Sequence, residues 1–147
     1  MSKKRGNRRL SRELALRALY QWRLTGDDLA RLLVQAEEAD EYQDANVEFL
    51  RTLLAGVLAE AEVLNQALAL HLDRPVEQLS PIEHGILLIG AYELSHSLDV
   101  PYKVAINEAV NLAKAYGGTD GHKYVNGVLD KLAKVVRRIE IEAAARP

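Results

Sequence analysis

Apolar side chains recur at three- and four-residue spacing along nearly every segment of this chain, and no stretch alternates with period two over the length of a strand. That pattern restricts the fold to helices. The expected class is all-α, built as two small helical bundles packed into one unit. Arg74-Pro75 ends one group of helices and Ser80-Pro81 opens the next.

Punctuation residues predict the elements. A first helix runs from about Arg8 to Leu24 and ends at Gly26, with Leu10, Leu14, Ala18 and Trp22 climbing one side. Asp27 or Asp28 caps a short helix carrying Leu29, Leu32, Leu33 and Ala36, and the acidic stretch Glu37 to Asp44 reads as a solvated loop. Asp44 then opens a long run, one helix or two, in which Leu50, Leu53, Leu54, Val57, Ala61, Leu64 and Leu68 share a face. Pro101 suits the first position of a helix that Gly117-Gly118 stops, and Thr119 or Asp120 can cap the next. That last helix carries Val125, Val128, Leu129, Leu132, Val136 and Ile139 on one stripe. Residues 1–7 read as a basic flexible arm and 8–141 as a single domain with bundles at about 8–73 and 81–141. Residues 142–147 read as a tail that frays.

Charge is segregated along the chain. The formal net charge of −2 arises because a basic start cancels an acidic stretch. Lys3, Lys4, Arg5, Arg8, Arg9, Arg12, Arg17 and Arg23 face a lone Glu13, whereas from Asp27 to Glu62 only Arg31 and Arg51 oppose the carboxylates. A basic arm or patch of this kind suits a polyanion. On the first helix Arg9, Arg12, Leu16, Tyr20 and Arg23 fall together, opposite Leu10, Leu14 and Ala18. Arginine grips phosphate bidentately and a tyrosine among arginines stacks on an unpaired base, a combination that fits single-stranded RNA. The competing reading has the arginines solvating an outer face while Leu16 and Tyr20 fill a second core contact.

A second candidate patch is Asp120, His122, Lys123 and Tyr124, at a helix start whose free N–H groups favour phosphate. Asp120 opposes that role and reads as a cap or as a brake on RNA affinity, and Asn126 reads as a packing or capping residue. The helix from Pro81 to Leu94 is so apolar that most of it belongs in a core. Glu83, Gly90 and Leu94 lie roughly along one edge of it, where a carboxylate suits a basic partner.

Several classes are disfavoured. The chain has no cysteines, and His71, His84, His96 and His122 lack the spacing that places two metal ligands on one helical face. No serine sits in a nucleophile context, so neither catalytic residue, metal nor cofactor is expected. Gly117 to Lys123 is superficially like a phosphate-cradling loop, but no strand precedes it and Tyr124 stands where the magnesium-binding hydroxyl belongs. The polar, basic start has no signal-peptide core and no later run suits a bilayer, so a soluble cytoplasmic protein is expected, with no membrane partner.

Two segments carry a wider likeness: Val100 to Ala109, VPYKVAINEA, and Lys123 to Asp130, KYVNGVLD. With Leu53-Leu54-Ala55-Gly56-Val57, Tyr92-Glu93-Leu94 and an Arg-rich start followed by Ala18-Leu19-Tyr20-x-Trp22, they resemble the NusB family of transcription antitermination factors over almost the full chain. The resemblance implies a non-catalytic, RNA-binding elongation factor. It implies binding to boxA RNA of ribosomal RNA operons as a heterodimer with the ribosomal protein NusE, in complexes that keep RNA polymerase elongating. RNA contacts are implied at Arg8, Arg9, Arg12 and Tyr20 and at Asp120, Lys123 and Tyr124, and partner contacts on the helix carrying Glu83. The chain departs from the family pattern at Leu88, where an arginine is common, at Gly6-Asn7 within the arginine run, and at Ser11. Two alternatives compete: a stand-alone RNA-recognition domain like those fused to ribosomal RNA methyltransferases, and a protein adaptor that binds no RNA. No Gly-rich βαβ segment for S-adenosylmethionine follows, which argues against methyl transfer.

Overall fold

The structure, a computed structural model, describes residues 6–146. Seven α-helices occur among them: α1 (Arg8–Thr25), α2 (Leu29–Glu37), α3 (Val47–Ala69), α4 (Pro81–His96), α5 (Tyr102–Tyr116), α6 (Gly121–Val136) and α7 (Arg138–Ala145). No strand forms among the described residues beyond a single bridge between Asn7 and Ala45. The chain divides into two units, the first ending at Glu60 and the second beginning at Ala61. This division falls inside α3, ahead of the expected break near Pro75. Nothing between Leu50 and Leu68 breaks the helix, so the long apolar run, expected as one helix or two, forms one element.

In the first unit, α1 packs against α2 and against a short 3-10 helix, Asp40–Asp44. The acidic stretch expected as a loop is therefore partly ordered, and α3 begins at Val47 rather than Asp44. Asn46 caps it, its Oδ1 accepting from the Phe49 N–H at 2.9 Å. Asp28 caps α2 through the Arg31 N–H at 2.9 Å. Gly26 ends α1 at φ 76°, a left-handed conformation that glycine adopts without strain. Leu14, Ala15, Leu19, Leu32, Leu50, Leu53, Leu54 and Val57 are buried in this unit, together with Leu16, as the competing reading of the first helix has it.

Residues 6 and 7 do not belong to a loose arm. The Asn7 N–H donates to the Asp44 carbonyl at 2.9 Å, the Asn46 N–H donates to the Asn7 carbonyl at 3.3 Å, and Asn7 Oδ1 caps α1 at the Leu10 N–H. Buried Ser11 adds an Oγ bond to the Asn46 carbonyl at 2.7 Å. Gly6 sits at φ 54°, and a Cβ there would lie 2.3 Å from the Ala45 carbonyl oxygen, so no larger residue fits. The remainder of the expected arm, residues 1–5, lies outside the described residues.

In the second unit α4, α5 and α6 pack on one another. Ser80 and Pro81 start α4 as expected, with Ser80 Oγ accepting from the Glu83 N–H at 3.1 Å. From His84 to Leu94 every residue of α4 except Tyr92 is buried. The core is completed by Ala105, Ile106, Ala109 and Leu112 of α5 and Val125, Val128, Leu129 and Leu132 of α6. The expected stripe on α6 stops earlier than its sequence suggests, since Val136 is 37% and Ile139 80% exposed. The chain turns at Arg137 instead of continuing the helix. That guanidinium is buried and reaches the carbonyls of Leu94 at 2.7 Å, Glu93 at 3.1 Å, Ser97 at 3.0 Å and Val100 at 2.8 Å, and also pairs with Glu140 at 2.6 Å. It satisfies the open C-terminal end of α4. The other oxygen of Glu140 accepts from the Tyr102 N–H at 3.0 Å, supplying α5 with the cap that Pro101 cannot. Ala143 to Ala145, read as a fraying tail, are helical within α7.

Candidate nucleic-acid interface

The cationic surface of the first unit is built on α1. Arg8 and Arg9 are exposed and Tyr20 is 40% exposed, which leaves its ring accessible. Arg12 is not. It is 5% exposed, with its guanidinium carbon 5.0 Å from the centre of the Phe49 ring, and Arg8 stacks on the same ring at 4.5 Å. The expectation that Arg12 shares the outer face fails because Leu16, one turn on, is drawn into the core and Arg12 lies on the same side of the helix. Further along, Arg17 pairs with Glu41 at 2.7 Å, and that hydrogen bond holds the Glu41 carboxyl below its ordinary value. Arg23 is half-buried.

Phe49 is the chain's lone phenylalanine, and nothing in its local sequence signals that two arginines converge on it.

The second candidate surface, at the start of α6, lies in the second unit. Asp120 and Lys123 are exposed and stand 3.6 Å apart as an ion pair. Asp120 stands at the cap position but makes no side-chain capping bond, so of the two roles expected for it the cap is not seen. Tyr124 is half-buried and engaged. Its hydroxyl donates to Asp73 Oδ1 at 2.9 Å, and the Asp73 N–H donates back to that hydroxyl at 3.4 Å. The Arg74 guanidinium lies over the Tyr124 ring at 4.7 Å and also grips Asp73, Nε to Oδ1 at 2.7 Å and Nη2 to Oδ2 at 3.1 Å. These contacts, first Arg74 and then Tyr124, depress the Asp73 carboxyl to about 2, whereas burial pushes the Tyr124 hydroxyl up. The sequence marks Arg74 only as the residue before Pro75, since nothing local links Asp73 or Arg74 to Tyr124.

The expected partner edge on α4 loses two of its three members. Leu94 is fully buried, and Gly90 is covered by α6, where an added Cβ would meet Leu129 Cδ1 at 2.5 Å. A helix this apolar turns nearly all sides inward, so an edge drawn from spacing alone does not reach solvent. Glu83 remains half-buried in the first turn, its Oε2 3.5 Å from the Cβ position of Gly121 at the start of α6. Among the described residues no three histidine, cysteine or carboxylate groups lie close enough to hold a metal ion, and no helix is long and apolar enough to cross a membrane.

Residues 9–134 match the sequence profile of the NusB family. The chain is 52% identical over 146 residues to transcription antitermination protein NusB of Bordetella pertussis, covering 97% of this chain and 95% of that protein. It is likewise 52% identical over 141 residues to the protein of that name from Thiobacillus denitrificans, covering 96% and 97% of the two. Among solved structures, T. maritima NusB superposes with a TM-score of 0.81 at 26% identity over 94% of this chain and 99% of that one. A crystal structure of antitermination factors NusB and NusE in complex with dsRNA superposes with a TM-score of 0.75 at 26% identity, over 86% and 96%. With the profile spanning most of the sequence and half of all aligned positions identical across nearly full-length relatives, the chain belongs to the NusB family.

Proposed function

We propose that this chain is a non-catalytic transcription antitermination factor that binds boxA RNA of ribosomal RNA operons together with NusE. The observation that carries the reading is its near-complete alignment, at 52% identity, with proteins named for antitermination. The structural neighbour solved with NusE and RNA supports both partners. A role in transcript elongation places the protein in the cytoplasm.

Residue roles follow from exposure. Arg8 and Arg9 meet phosphate, with Arg8 held in place by its stack on Phe49, and Tyr20 offers a ring to a base. Arg12 acts from below by packing against Phe49 rather than by touching RNA. On α6, Lys123 supplies charge and Asp120 tempers it, while Tyr124 contributes an edge fixed by Asp73. Glu83 is the α4 residue suited to a basic protein partner.

Titrating labelled boxA RNA and a scrambled RNA, each with and without NusE, tests this reading. Weak binding that NusE tightens for boxA alone is expected. Equal affinity for the scrambled RNA in both settings overturns it. Competition between single-stranded and duplex forms decides which the aromatic side chains prefer, and the single strand is expected to win because its bases are free to stack.

A further inference from the structure

We propose that Arg74, stacked on Tyr124, forms a platform for an unpaired RNA base, with Asp73 as the residue that positions both. The inference deepens the RNA-binding reading and rests on it. Three features of the cluster carry the argument.

First, the guanidinium already lies over an aromatic ring. Its carbon is 4.7 Å from the centre of the Tyr124 ring, while the Arg74 side chain remains 39% exposed. A planar, weakly hydrated group in that position extends the aromatic surface, and an unpaired base adds to such a stack face to face. Second, the charge of Arg74 is already matched. Its Nε and Nη2 both donate to the Asp73 carboxylate, so the group offers a plane more than a phosphate clamp. Lys123 is adjacent in sequence to Tyr124 and its side chain is 73% exposed, which suits the phosphate that accompanies a stacked base. Third, the platform is pre-ordered. Tyr124 is tied to Asp73 through both its hydroxyl proton and the Asp73 N–H, which joins the segment before Pro75 to the first turn of α6. Little side-chain freedom remains to be lost on binding. Because Arg74 and Tyr124 hold Asp73 ionised far into acid, the arrangement persists throughout the neutral range.

Arg74→Lys is the informative variant, since it keeps the charge and the pairing with Asp73 but removes the plane. Single-stranded boxA RNA carrying a fluorescent purine analogue at successive positions is titrated against the full chain with NusE present, at several salt concentrations. Arg9→Ala is measured alongside. Arg74→Lys is expected to weaken binding about tenfold, consistent with the loss of one stacked base, and to abolish fluorescence quenching at one RNA position. Its salt dependence should match the wild type, whereas Arg9→Ala should flatten the slope by about 0.7, one phosphate contact on a single strand. Full affinity in Arg74→Lys beside a weakened Arg9→Ala overturns the platform and leaves RNA binding intact. Lower affinity with quenching retained makes Arg74 a structural residue and overturns it equally. A wild-type chain that binds no boxA RNA defeats the functional reading, and the platform with it.

Discussion

Two guanidinium groups share the Phe49 ring, and only one of them is withdrawn from water. Arg12, 5% exposed, contributes its stem and its cation–π contact to the first unit's core, while Arg8 keeps its outer side free of that burial. Arg12→Ala should therefore lower stability by about 1–2 kcal/mol in urea unfolding, from the lost contact and packing. Arg9→Ala should change it by less than about 0.5 kcal/mol, as is usual for a surface site. At Asp73 the folded carboxyl is depressed from 3.8 to about 2, so its contribution is complete above the ordinary value and disappears as pH falls through about 2. A carboxylate NMR titration checks this, and a midpoint near 3.8 would mean that the Arg74 and Tyr124 contacts do not hold in solution. Residue types such as the arginines of α1 and Lys123 were legible as candidate contacts. Their directions were not, because Phe49 and Asp73 are distant in sequence and only tertiary packing brings them near.

At the scale of elements, starts and stops that depend on a local side chain were readable. Ser80-Pro81, Asp28 and Gly26 each act within one turn of the residue they cap. The break between α6 and α7 was not, since Val136 and Ile139 continue the apolar spacing. What decides it is Arg137, whose guanidinium must leave the helical path to reach the end of α4. Arg137→Ala should cost about 3 kcal/mol or more in denaturant unfolding, because buried carbonyls of α4 and of the turn after it would lose their donor. Arg137→Lys should recover only part of this, as a single ammonium lacks the fork that spans several carbonyls. Hydrogen exchange should localise the loss to the α4 C-terminus and the start of α5, and unchanged protection there would contradict the assignment.

For the whole molecule, periodicity alone gave the all-helical class, and the contacts divide the chain at Glu60 and Ala61 while the bundles expected from the sequence are separated near Pro75. Helix α3 hides that boundary, because a division between packing partners leaves no mark in a continuous apolar stripe. If the proposed RNA binding holds, a chain of net charge −2 depends on segregated cations for it, so affinity should fall linearly in log–log form as salt rises, by about 0.7 per phosphate contacted. A flat response between low and moderate salt would show that the arginines of α1 make no ionic contact. The stretch recognisable by kinship, residues 9–134, is also shorter than the span tied together by hydrogen bonds. Asn7 fastens one extremity and Arg137 with Glu140 the other, all beyond those limits. A recombinant fragment trimmed to the recognisable stretch would keep its signature motifs yet lose both fastenings, and should aggregate or melt at a lower temperature than one retaining residues 6–141.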